Sequence, residues 1–143
     1  QGYEQYEISN FARDGHVARH NLKYWTMQEY LGFGPGAHSD FGGRRFAYAR
    51  DLNAYIKGEE HLSESACPAE REREEERVML ALRTARGLDL TALKEDTWDA
   101  EAVLEECAHH GLSQKENDRW RLTPQGFLVS NAVIVRVLEA LSL

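Results

Sequence analysis

Leu112-Ser113-Gln114-Lys115-Glu116-Asn117-Asp118-Arg119-Trp120-Arg121-Leu122 is the stretch on which the fold reading turns. It reads as two short strands around Glu116-Asn117-Asp118, with Trp120 and Leu122 on one face. Thr123-Pro124 follows as an N-cap and N1 pair opening a last helix, whose buried side is Phe127, Ile134, Val137, Leu138 and Leu141. Upstream, Asp99 is the expected N-cap of a helix that carries Ala100, Val103, Leu104, Cys107 and Ala108 at helical spacing and stops at Gly111. Before it, Arg71 to Arg86 reads as a charged helix with Val78, Met79, Leu82 and Ala85 on one stripe, closed by Gly87. Leu88, Leu90 and Leu93 suit a second short helix.

The order helix, helix, helix, hairpin, helix over residues 71–143 resembles a winged-helix-like domain, and many such domains bind DNA. The charges oppose that use. Residues 59–143 carry 10 Lys+Arg against 18 Asp+Glu, and the helix before the hairpin presents Glu101, Glu105 and Glu106 with no basic residue. A nucleic-acid or protein-docking module is therefore a minor alternative.

Working back toward the N-terminus, Glu59 to Ala69 is rich in Glu, Ser, Ala and Pro and reads as a linker. Asp51 caps a helix ending near Gly58, and Gly42-Gly43 marks a tight hairpin between Ala37–Phe41 and Arg44–Tyr48. Leu31 to Ala37 reads as a short strand opening into a glycine-rich loop. Tyr3 to Phe11 alternates as one half-buried strand, broken at Asp14-Gly15. The whole is an α+β chain of 143 residues, with 42% apolar and 29% charged residues and a net charge of −7. No stretch is long and apolar enough to span a bilayer, so a cytoplasmic protein is expected. Starting at Gln1, the chain reads as a fragment with a neighbour upstream.

Ligand chemistry concentrates in His20-Asn21-Leu22-Lys23-Tyr24-Trp25 and Gly32-Phe33-Gly34-Pro35-Gly36-Ala37-His38-Ser39. Alternate glycines let a backbone approach a flat or charged ligand, and imidazole and indole rings can ligate or stack. The spacing is not the dinucleotide fingerprint and no P-loop follows. On spacing alone, a strand-end turn explains the glycines as well as a ligand does. A lone His beside aromatic rings is more often hydrogen-bonded scaffold than a ligand. His109-His110 suits a helix C-terminus, and the Glu70 to Glu76 run suits a solvated helix face. Cys67 and Cys107 match no metal-binding spacing, and Cys107 falls among core positions.

Four ordered motifs carry a resemblance. They are Tyr6-Glu7-Ile8-Ser9-Asn10-Phe11-Ala12, His20-Asn21-x-x-Tyr24-Trp25, Gly34-Pro35-Gly36-Ala37-His38-Ser39 and Leu122-Thr123-Pro124-x-Gly126-Phe127-Leu128-Val129-Ser130-Asn131. Over nearly the whole chain they resemble the C-terminal part of the heme-chaperone (HemW-like) branch of the oxygen-independent coproporphyrinogen III oxidase (HemN) family of radical S-adenosylmethionine proteins. The resemblance implies an incomplete α/β barrel with a [4Fe-4S] cluster and a smaller, mostly helical C-terminal domain. Residues 1–58 would then be the tail of the barrel, 59–70 a linker and 71–143 the HemN-type C-terminal domain. The cluster cysteines and most S-adenosylmethionine contacts would lie upstream, so the segment would hold no catalytic residue and be inactive alone.

The His-Asn-x-x-Tyr-Trp motif marks the chaperone branch and is absent from the oxidase. By that resemblance His20 is the candidate axial heme ligand, Asn21 its orienting neighbour, and Tyr24 and Trp25 rings for the porphyrin. Gly34, Gly36, Ala37 and His38 would face the cofactor region, with strand Glu7 to Asn10 lining the same cavity. The implied partners are heme or porphyrin and heme-accepting proteins, with decarboxylation of coproporphyrinogen III as the enzymatic alternative. A barrel remnant would expose unpaired strand edges, which a second copy could cover as a dimer.

Overall fold

A computed structural model describes residues 2–59, 61–94 and 97–143. Its strands form three small antiparallel sheets, and no parallel pair occurs among the described residues. The N-terminal part is thus built from hairpins rather than from parallel barrel strands. Tyr3–Glu7 (β1) and Asn10–Arg13 (β2) form the first. A single strand through Phe11 is expected from the alternation, but the chain turns at Ile8-Ser9. Glu7 drives that turn: its carboxylate, wholly buried, accepts the Ser9 N–H at 2.8 Å and also the Asn10 amide.

Arg19–Trp25 (α1) follows, covering the His-Asn-x-x-Tyr-Trp motif. Residues 31–37 form a loop and not the expected strand. The Gly42-Gly43 hairpin is present as His38–Phe41 (β3) and Arg44–Tyr48 (β4). Leu52–Lys57 (α2) is capped as its sequence predicts, with Asp51 accepting the Ala54 N–H and Gly58 left-handed. The segment read as linker holds a further strand, Leu62–Ala66 (β5), which pairs with β4 and completes a three-stranded sheet.

Glu70–Ala81 (α3) begins the C-terminal part and ends earlier than its apolar stripe suggests. Residues 83–85 turn instead to meet β1: Ile8 N–H donates to Arg83 O at 2.8 Å and Ala85 N–H to Tyr6 O at 3.0 Å. A 3₁₀ turn at Leu90–Ala92 replaces the expected second helix. Trp98–His109 (α4) starts from Thr97, with Asp99 in its first turn rather than at the cap. Ser113–Glu116 (β6) and Arg119–Leu122 (β7) form the decisive hairpin, whose Asn117 and Asp118 both adopt positive φ, as a tight right-twisted turn requires. Leu88 adds a third short rung to β7 by exchanging two backbone bonds with Trp120.

The last helix is two, Pro124–Leu128 (α5) and Ser130–Ala140 (α6), broken at Val129. Val78, Leu82, Leu104, Trp120, Ile134 and Val137 are among the buried side chains that close one core around the hairpin, α3, α4 and α6. Ile8 packs on the same core. Gly126 is required there, because a Cβ on it would enter the Leu112 carbonyl oxygen. No helix of the described residues is long and apolar enough to cross a membrane.

Candidate functional site

The HisAsn motif occupies a two-turn helix, and its i, i+4 spacing sets His20 above Tyr24. The Tyr24 hydroxyl and His20 Nε2 lie 2.9 Å apart, with the two rings edge-on at 5.2 Å. His20 Nδ1 has no partner among the described residues. Tyr24 is in turn edge-on to Tyr30 at 4.6 Å. Burial and the nearby Asp40 carboxylate push the Tyr30 hydroxyl pKa upward, so it stays a neutral donor. The result is a short ladder of rings, His20, Tyr24 and Tyr30, open to solvent at its histidine end.

Tyr30 links that ladder to the hairpin sheet by exchanging backbone bonds of 2.8 and 3.0 Å with Asp40. Asp40 is the hub of an ion cluster that the sequence does not announce. Its carboxylate accepts both terminal nitrogens of Arg73 at 2.6 and 2.7 Å and Arg45 Nε at 2.9 Å, while Arg45 also pairs with Glu76. The Arg73 guanidinium holds the Asp40 carboxyl below its ordinary pKa, with Arg45 adding to the effect. Arg73 and Glu76 lie on α3, so part of the Glu70 to Glu76 run is a clasp on the N-terminal sheet and not a solvated face. Glu74 in the same run is buried and accepts the Lys94 N–H at 3.0 Å.

The glycine loop is fixed by backbone bonds. Gly36 N–H donates to Ala49 O at 3.1 Å, Tyr48 N–H to Ala37 O at 3.0 Å, and Gly32 N–H to the buried Ser39 hydroxyl at 3.0 Å. Gly36 sits at φ 72°, where a Cβ would also strike the Arg50 side chain. Gly34 and Ala37 are joined by a turn bond of 3.1 Å. His38 is exposed at the start of β3 and borders an open hollow of about 460 Å³ with Tyr30, Ser39, Arg45 and Phe46. Among the described residues, no hydrogen bond or ring contact joins His38 to His20, and the exposed Asn21 side chain makes no hydrogen bond. The structure therefore brings His20 and Tyr24 together but leaves the glycine loop as a separate feature linked through Tyr30.

Trp25 takes the other side of α1. With Met27, Arg77, Thr84, Arg86 and Leu88 it borders a cavity of about 300 Å³ where α1 meets the C-terminal domain. That volume is at the lower end for small-molecule sites. Arg77 and Arg86 were not singled out by the sequence, where they look like ordinary members of a charged helix. α4, the counterpart of a recognition helix, directs Glu101 to Lys115 and Glu106 to Arg136, so its acidic face pairs with the protein itself.

Four likenesses, one to a family and three to individual proteins, accord with this geometry. Residues 69–129 match the HemN C-terminal domain family. "Heme chaperone HemW" of Bacillus subtilis is 35% identical over 142 residues, covering 92% of this chain and 37% of the relative. "Radical S-adenosyl methionine domain-containing protein 1, mitochondrial" of Mus musculus is 58% identical over 40 residues, 28% of this chain and 9% of the relative. The solved structure titled "Coproporphyrinogen III oxidase (HemN) from Escherichia coli is a Radical SAM enzyme" superposes with a TM-score of 0.66 at 16% identity, over 95% of this chain and 37% of that one. That last likeness is one of fold. The chain thus spans little more than a third of the lengths of its B. subtilis relative and of this solved structure.

Proposed function

The chain belongs to the HemN family, and from that membership we propose that the full-length protein binds heme and passes it to acceptor proteins. This chain supplies part of the heme site. The observation that carries the reading is the intact His20-Asn21-x-x-Tyr24-Trp25 motif, folded as one helix with an exposed imidazole held by a tyrosine. The Tyr24 contact engages Nε2 and orients the ring. Nδ1 is left for iron, or Nε2 exchanges its hydroxyl partner for the metal. Asn21 borders the ligand from the same helix, and Gly34, Gly36, Ala37 and His38 form the second wall across Tyr30.

The [4Fe-4S] cluster that the resemblance implies is held by thiolates in C-x-x-x-C-x-x-C spacing. The two cysteines here, one exposed and one buried in the core, do not fit it. In this reading the cluster and S-adenosylmethionine are held by other residues of the full-length protein, which is cytoplasmic. No chemical step is assigned to the residues of this chain.

Titration of ferric heme into full-length wild-type protein and His20→Ala, followed in the Soret band, tests the reading. We expect a Soret shift for the wild type and a weaker, altered spectrum for the variant. Identical affinity and spectrum would remove His20 from the site, and no binding by the wild type would end the reading. Formation of protoporphyrinogen from coproporphyrinogen III by cluster-loaded protein under reducing, anaerobic conditions would instead assign the oxidase activity.

A further inference from the structure

Residues 59–143 are acidic, yet three of their 10 basic residues, Arg77, Arg86 and Arg119, border one cavity. Their roles there differ. Arg119 is committed to structure: its guanidinium donates to Arg86 O at 3.0 Å and Gly87 O at 2.9 Å and pairs with Asp89 at 3.2 Å. Asp89 in turn takes the Thr91 hydroxyl at 2.6 Å. Arg77 and Arg86 have no ion pair and no side-chain hydrogen bond among the described residues, although carboxylates outnumber cations in residues 59–143 as a whole. The same cavity is bordered on its apolar side by Trp25, Met27, Ala81, Leu88 and Ala92. An apolar wall that includes the Trp25 indole, beside two uncommitted guanidinium groups, suits an aromatic ligand bearing carboxylates, since guanidinium meets carboxylate in a two-pronged geometry.

We propose that the cavity between α1 and the C-terminal domain receives the carboxylate side chains of a tetrapyrrole, with Arg77 and Arg86 as their anchors and Trp25 against the ring edge. This rests on the heme-binding reading and deepens it. α1 carries both His20 and Trp25, and in this proposal the tetrapyrrole extends past that helix from His20 to the arginines of the neighbouring domain. The cavity itself is too small for a whole macrocycle and is suited to that edge alone. Arg119 is a positioning residue, which shapes the wall by tying Arg86 and Gly87 to β7.

The test uses full-length protein, ferric heme and the dimethyl ester of ferric heme, in which the carboxylates are masked. Wild type should bind heme on the order of 10- to 100-fold more tightly than the ester, the range given by one or two charge-assisted hydrogen bonds. Arg77→Gln/Arg86→Gln should lose that preference and bind both ligands alike, with the Soret spectrum of the His20-bound form retained. Equal affinity of wild type for heme and ester overturns the proposal, as does a double variant that still prefers heme. The ester comparison is made on wild type and so stands even if the double variant fails to fold. Wild type that binds neither ligand defeats this proposal and the heme reading together, whereas heme binding indifferent to the carboxylates defeats this proposal alone.

Discussion

Replacing Asp40 should loosen the N-terminal sheet from α3 by an amount the geometry bounds. Asp40 accepts two bonds from Arg73 and one from Arg45, and its side chain is 11% exposed. Removing one member of a fully buried pair costs about 3–5 kcal/mol, chiefly for the charge left behind. Here the partners keep 22% and 38% of their side-chain exposure, and Arg45 retains Glu76, so water and a second carboxylate offset much of that cost. We expect Asp40→Ala to destabilise by about 2 kcal/mol, near the value of charge-assisted hydrogen bonds. A double-mutant cycle with Arg73→Ala should return a coupling of about 1.5 kcal/mol.

The effect has a pH signature. The folded carboxyl is held below its ordinary value of 3.8, so its contribution is complete above that value and is lost as pH falls through the lowered one. In urea unfolding followed by tryptophan fluorescence, the gap between wild type and Asp40→Asn should be constant from neutral pH to about pH 5 and narrow below about pH 4. Coupling under about 0.5 kcal/mol at neutral pH would refute the clasp, since that is the value of an exposed pair. A gap unchanged at about pH 2.5 would refute the assignment of the effect to this carboxylate.

Two further outcomes test the packing. Gly126→Ala places a methyl on the Leu112 carbonyl and should cost about 2 kcal/mol or more in the same unfolding assay, where a wild-type midpoint would contradict the close approach. In a thiol-labelling time course on native protein, Cys67 should react at once and Cys107 only on unfolding, because burial in the core raises the Cys107 thiol pKa and shields it. Equal rates for the two would show that α4 is not seated as described.

Several tight turns and caps were legible in the sequence because they rest on local chemistry, while the Asp99 cap and the turn at Ile8-Ser9 were not. Gly42-Gly43, Asn117-Asp118, Asp51 with Gly58, and Thr123-Pro124 each sit where their residue types predict. What local chemistry does not encode is pairing across long separations. All five residues of β5 are exposed, so no alternation marks a strand that is held by its backbone alone. α3 stops at Ala81 because residues 83–85 bond to β1, a partner no periodicity names. Glu7 looks like an outward residue of an alternating strand, yet it is wholly buried and turns the chain.

The site shows the same division. His20 and Tyr24 meet because helical spacing dictates it, and Cys107 falls in the core as its position implies. Tyr30, Asp40 and the free arginines bordering Trp25 come from segments far apart, each unremarkable in its own neighbourhood. A cluster such as Asp40, Arg45, Arg73 and Glu76 emerges only when the hairpin is laid on α3.

The bonds from Ile8 to Arg83 and from Ala85 to Tyr6 also set an order of events during synthesis. The first hairpin leaves the ribosome before residues 83–85, so two of its backbone groups find their partners only after Ala85 has been made. Until then Ile8 has no core to enter, since that core is assembled from α3, α4 and α6. The ring ladder on α1 follows directly behind this hairpin and is translated before the α3 residue Arg73 that clasps Asp40, so its final setting waits on that later segment.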